Sequence, residues 1–218
     1  MKKYLILFLL LSIFSSRFAI ANDDESVKVY LFPQFEKGYV ILKDNVTRIA
    51  AEFNYDLVEE RMLYLEADNS LAELDANAVN LVVIGDRFFI PAKNKSFYEE
   101  IEVGNNAFYI SHKTKLMSKG KAAGYGTYSQ TSAISGLTIS TNAGKSYLLG
   151  PDEKIEGIDE SFICLKNGKN FTKINSLKSL VQFFKSNKAE IEAFSKEKNT
   201  NFNKIKSVKA IVEFAFSL

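Results

Sequence analysis

Hydrophobic positions along the chain change period twice, and the changes divide it into three parts. Lys2 and Lys3 precede an apolar run from Tyr4 to Phe14, and small residues at Ala19 and Ala21 close it. A basic start, a short apolar core and a small-residue cleavage site mark a secretory signal peptide. Residues 1–21 are therefore read as a leader, cut between Ala21 and Asn22. From Tyr39 onward the period is two. Tyr39 to Lys43 is β-branched and aromatic, and ends at the turn dipeptide Asp44-Asn45. Ile49, Ala51, Phe53 and Tyr55 then share one parity, while Arg48, Glu52, Asn54 and Asp56 hold the other, the pattern of an antiparallel strand with one wet face. Arg61 to Glu66 gives a further strand. Leu81-Val82-Val83-Ile84 is apolar at both parities and belongs in the middle of a sheet, covered on both sides. Arg87 to Ile90 follows Gly85-Asp86, and Phe97 to Val103 and Ala107 to Lys115 flank Gly104-Asn105-Asn106, a hairpin turn of about three residues. Glu99, Glu100 and Glu102 read as the wet side of their strand.

Alternation fails over 118–146, a Gly- and Ser-rich stretch containing Tyr125 and Tyr128, which reads as a long loop with a strand near Leu137 to Ile139. A last hairpin over Ser161 to Ile174 turns at Asn167-Gly168. The period then becomes helical. Leu177, Leu180, Val181 and Phe184 fall at i, i+3, i+4 and i+7 behind Asn175-Ser176; a second helix after Ser186-Asn187 buries Ile191 and Phe194; a third runs from about Lys204, capped by Asn203, with Ile205, Val208, Ile211, Val212 and Ala215 inward. Strands first and helices last predict an α+β protein. The expected organisation is a leader at 1–21, an antiparallel β meander at 22–174 (sandwich or open barrel) with a loop at 118–146, and about three short helices at 175–218.

Composition narrows the chemistry. The chain has 28 Lys plus Arg against 26 Asp plus Glu, one Cys, one His and no Trp. Loss of residues 1–21 removes three cations and no acid, so the formal +2 becomes −1. From Lys173 to Leu218 there are nine Lys against four Glu, read as solvated helical faces. With one Cys there is no internal disulfide, and Cys164 in an apolar stretch is read as a small buried hydrophobe. One histidine cannot build an H-E-x-x-H or multi-histidine metal centre, and His112 is read as a satisfied strand residue rather than a general base. Gly144-Lys145-Ser146 lacks the glycine that a phosphate loop needs five residues earlier, where Ile139 stands. No cofactor, metal or nucleic acid is expected, and no later apolar run is long enough to anchor the exported chain by a helix. Acid pairs drawn from Glu52, Asp56, Glu59 and Glu60, or from Glu99 and Glu102, would be needed for a carboxylate-dependent glycan hydrolase. Tyr125 and Tyr128 are the candidate partner-binding residues, because tyrosine offers rigid amphipathic area and glycine neighbours let a loop adapt.

Several stretches resemble a group of secreted Bacteroidetes proteins of unassigned function: Lys37 to Asp44 (KGYVILKD), Phe53 to Asp56 (FNYD), Val83 to Phe89 (VIGDRFF), Gly124 to Ser129 (GYGTYS) and the closing Ile211 to Leu218. The resemblance implies export from a Gram-negative cell and contributes no active site. The expectation is an exported, periplasmic or secreted, non-enzymatic binding or structural module whose partner is an unknown protein or envelope component. A glycan hydrolase and a lipocalin-like carrier of small apolar ligands are the alternatives.

Overall fold

The computed structural model describes residues 28–123, 127–129 and 153–218, with side chains over 28–117 and 156–218. The leader, its Ala21/Asn22 junction, Tyr125 and the strand expected near 137–139 lie outside the described residues. The described chain is antiparallel sheet followed by helices, as the change of period predicts. The strands are β1 (Glu36–Leu42), β2 (Arg48–Asp56), β3 (Arg61–Leu65), β4 (Leu71–Glu73), β5 (Val79–Ile84), β6 (Arg87–Pro91), β7 (Phe97–Val103), β8 (Asn106–Ser111), β9 (Thr114–Ala123), β10 (Thr127–Ser129), β11 (Glu153–Asp159), β12 (Phe162–Asn167) and β13 (Asn170–Lys173). Three α-helices follow: α1 (Leu177–Phe183), α2 (Lys188–Glu197) and α3 (Ile205–Ser217).

Ten strands form one sheet in the order β13-β12-β8-β7-β6-β5-β1-β2-β3-β4, and β10-β9-β11 form a separate three-stranded ribbon. Among the described strands the order is open-ended, from β13 to β4, and closes no barrel. The ribbon leaves the sheet between β8 and β12, where Thr114 N donates to Leu57 O at 2.8 Å and ties its root to the end of β2. Two local readings change. The loop expected from residue 118 opens as strand through Ala123 and again at 127–129, because β9 pairs with β11 on one side and with β10 on the other. The turn after β7 is two residues, Gly104-Asn105, since Val103 already pairs with Asn106.

One side of the large sheet, called inner here, is buried in two stretches. Val40, Phe53, Tyr55, Met62, Val82, Ile84, Phe89 and Phe97 pack into one cluster, which the segment at Leu31-Phe32 joins. Phe108, Ile110, Ile163 and Leu165 pack with Leu180, Ile191, Val208, Ile211, Val212 and Ala215 of the helices into the other. Burying each such side chain is worth roughly 1.5–3 kcal/mol, so the helical tail is held by packing rather than by its modest propensity. Helix α1 begins with Ser176 accepting from Ser179 N in a reciprocal cap. Helix α3 has Lys204, not Asn203, at its cap position, and Asn203 N donates to Asn201 Oδ1 instead. Close strand packing requires Gly38: a Cβ there would stand 2.2 Å from Val83 O.

Parity predicts β2 well except at two places. Ile49 lies at the open end of the strand and is 49% exposed. Asn54, on the expected wet side, is buried, because the chain at 32–34 lies against it. Its Oδ1 accepts from Phe32 N at 3.1 Å, and its Nδ2 donates to Phe32 O and Gln34 O. An amide at this point satisfies a backbone that no strand pairs.

Candidate functional site

A register row crosses the inner face through Val40, Val82, Phe89, Glu99, Ile110 and Ile163. Glu99 is its one charged member. Its side chain is 7% exposed, which without partners would cost several kcal/mol. Partners come from the strands on either side. Gly85, at φ +59, turns β5 into β6 in two residues and makes Arg87 the first residue of β6. His112 follows the last residue of β8. Both stand one diagonal step from Glu99, about 7–8 Å at the backbone and within reach of long side chains. Arg87 donates from Nε to Oε1 at 2.6 Å and from Nη2 to Oε2 at 2.7 Å, a two-pronged grip. His112 Nε2 lies 2.6 Å from the same Oε2. The guanidinium also covers the rings of Phe32 and Phe89, at 4.9 and 5.4 Å.

Burial pushes the Glu99 carboxyl up, but the bonds from His112 and Arg87 and their charge outweigh it and hold it at about 2. The carboxylate therefore carries no proton near neutrality. Glu99 cannot serve as a general acid. His112 borders a cavity of 180 Å³ together with Leu31, Leu57, Thr114, Asp159 and Ser161. The expected mid-strand place of His112 is corrected, since it stands one residue past the end of β8 and meets Glu99 there; the reading of Glu99 as wet is corrected too. Each member of the cluster breaks the apolar parity of its own strand: Arg87 against Phe89, Glu99 against Phe97, Ile101 and Val103, His112 against Phe108 and Ile110. That is the signal which locates them in sequence.

Of the acid pairs a glycan hydrolase would draw on, Glu99 and Glu102 are separated by the sheet. Glu99 faces inward, whereas Glu100 and Glu102 occupy the opposite parity on the other side of the sheet. Asp56 Oδ1 accepts from Val58 N and Glu59 N, and Glu60 pairs with Lys113. Among the described residues no group of three or more His, Cys, Asp or Glu is placed to hold a metal.

The outer face carries a different row: Tyr39, Val83, Phe88, Glu100, Tyr109, Cys164 and Lys173, one from each of seven adjacent strands. Tyr98 and Phe162 flank it on one side, and Lys166 and Phe171 on the other. Rings meet edge to face: Tyr98 with Phe171 at 5.1 Å, Tyr109 with Phe171 at 5.0 Å and Tyr98 with Phe162 at 6.3 Å. Tyr109 Oη donates to Glu100 Oε1 at 2.9 Å. Phe88 is 38% exposed. The described helices pack on the inner face, so none of them covers these rings. Cys164 lies beneath the cluster, buried as expected, its thiol pushed up to about 11 by burial against the opposing pull of Lys173. Tyr128 lies on β10, but its side chain, like Tyr125 altogether, is outside the described residues. No described helix is long and apolar enough to cross a membrane.

No protein-family model, no curated protein and no solved structure matches the chain.

Proposed function

We propose that the chain is an exported, non-enzymatic binding module of the bacterial envelope or its surroundings, and that it meets its partner through the outer face of the ten-stranded sheet. The leader-like residues 1–21 support export. One observation supports the surface: Tyr39 and Phe88 stand on the outer row, and Tyr98, Phe162 and Phe171 flank it in edge-to-face contact with one another and with the buried Tyr109, with every described helix on the opposite side. Rigid amphipathic rings are the residues that give binding surfaces contact area at low entropic cost. The ionic cluster on the inner face supports the same reading, because its acid is fully engaged and its arginine is spent on neutralising it.

Site-specific photocrosslinkers at Phe88 and Phe171, with a control at the exposed Glu192 of α2, test this in the native cell. Adducts of discrete mass from the sheet positions, identified by mass spectrometry and absent from the control, are expected, on material whose N-terminus is Asn22. Equal adducts from Glu192, or none from Phe88 and Phe171, would remove the surface. Alanine at Tyr125 and Tyr128 in the same cells tests the loop as a separate contact.

A further inference from the structure

At the β12–β13 end of the outer face, rings give way to cations. Lys173 holds its ammonium 4.1 Å from the Phe162 ring centroid, and Lys166 holds its own 5.5 Å from both Tyr109 and Phe171. Both lysines are exposed, and among the described residues neither forms an ion pair. The nearest acid along the row, Glu100, is engaged by the Tyr109 hydroxyl. Two positive charges therefore stand uncompensated on an apolar platform whose rings are fixed by mutual contact. Stacking on the rings restricts the lysine stems before any partner arrives.

Their spacing carries the argument further. Lys166 pairs across the strands with Phe171, two residues before Lys173. The lysines are thus one diagonal step apart, roughly 7–8 Å at the backbone. Side chains at i and i+2 on one face of an extended chain are about 6.6–6.8 Å apart, close to the same interval. Glu100 and Glu102 stand on this face two strands away. A flat anionic bilayer laid across the sheet would have to meet those carboxylates, whereas a narrow chain lying over β12 and β13 would not.

Resting on the outer face as the contact surface, we infer that the β12–β13 end takes an extended, acidic segment of a partner protein: acids at alternate positions meet Lys166 and Lys173, and the backbone that joins them passes over the Phe171 ring.

The test uses fluorescence anisotropy with the mature chain and a labelled decapeptide that has Glu at alternate positions separated by Leu and Thr. A peptide with Lys in place of Glu and vesicles of phosphatidylglycerol in phosphatidylcholine are run beside it. Saturable binding of the acidic peptide alone is expected. It should weaken at least about tenfold in the K166E/K173E double variant, in proportion to lost charge in K166M/K173M, and with added salt. Circular dichroism melts of both variants, matching the parent, show that the fold is kept. Absence of acidic-peptide binding, equal binding by the double variants, equal binding of the lysine peptide, or capture by vesicles and not by peptide would each overturn the inference. Adducts at Phe88 that persist while the peptide fails would sink this inference and leave the contact surface standing. Loss of adducts at both Phe88 and Phe171 would instead sink the surface as a whole.

Discussion

Glu99→Gln isolates the ionic cluster, because the amide keeps the side chain's shape while removing its charge. In the fold the carboxyl lies at about 2 against an ordinary value of 4.5. That gap of about 2.5 pH units, at about 1.36 kcal/mol each, corresponds to about 3 kcal/mol of stability. Breaking a buried pair by removing one partner costs about 3–5 kcal/mol. Arg87, with its side chain 27% exposed, can take water in compensation, which places the expected loss at the lower end. Thermal unfolding should therefore drop by roughly 6–12 °C in a domain of this size. The pH dependence is the sharper reading. A depressed carboxyl contributes fully above its unfolded value and loses its contribution as pH falls through its folded one. The parent and Glu99→Gln should differ by about 3 kcal/mol at neutral pH and converge between about pH 4.5 and pH 2, measured by urea unfolding with circular dichroism. A gap that stays constant to about pH 2.5, or one under about 1 kcal/mol at neutral pH, would refute the account of how Glu99 is held.

Two further outcomes follow from packing. Cys164, buried with its thiol at about 11, should resist iodoacetamide at mildly alkaline pH and be alkylated fully in urea, as intact-mass spectra would show; fast native labelling would contradict its place under the ring cluster. Gly38→Ala puts a Cβ 2.2 Å from Val83 O and should cost more than about 3 kcal/mol or abolish folding, far beyond the usual surface substitution, with urea midpoints as the measure.

Much of this fold is written in the period of the sequence, and the exceptions have identifiable causes. Period two located β2, β5 and the β12–β13 hairpin because each strand has one face to bury or, for β5, two. Period 3.6 located α1, α2 and α3 with the inward residues Leu180, Ile191, Val208 and Ile211 correctly placed. Asn54 escaped because burial there comes from the chain at 32–34, and a contact 20 or so residues away leaves no trace in strand parity. Charge alone points Glu99 to the wet side, whereas the parity of Phe97, Ile101 and Val103 places it inside. His112 looked isolated in sequence because its partner lies across a strand pair, 13 residues away. The outer ring row is legible only once the registers are known, since its members come one from each strand and no stretch of sequence contains more than a few of them.

The two faces also explain each other. Three short helices, burying Leu180, Ile191, Val208 and Ile211, cover the inner face only near β8 and β12. The rest of that face packs against its own strands and the Leu31-Phe32 segment. A seam must separate two cores built in this way, and Glu99 sits at it: its row runs from Val40 and Phe89 of one core to Ile110 and Ile163 of the other. Arg87 reaches back over Phe32 and Phe89 while gripping Glu99, and His112 closes the triad beside the helix-covered core. A polar cluster in this position is accounted for by joining two hydrophobic bodies, because each of its members is bonded to another and the acid is held charged. Chemistry that must reach a partner then falls to groups left unsatisfied by the fold. On the outer face the ammonium groups of Lys166 and Lys173 lie over rings and form no ion pair with a described residue, which is why the proposed contact is placed there.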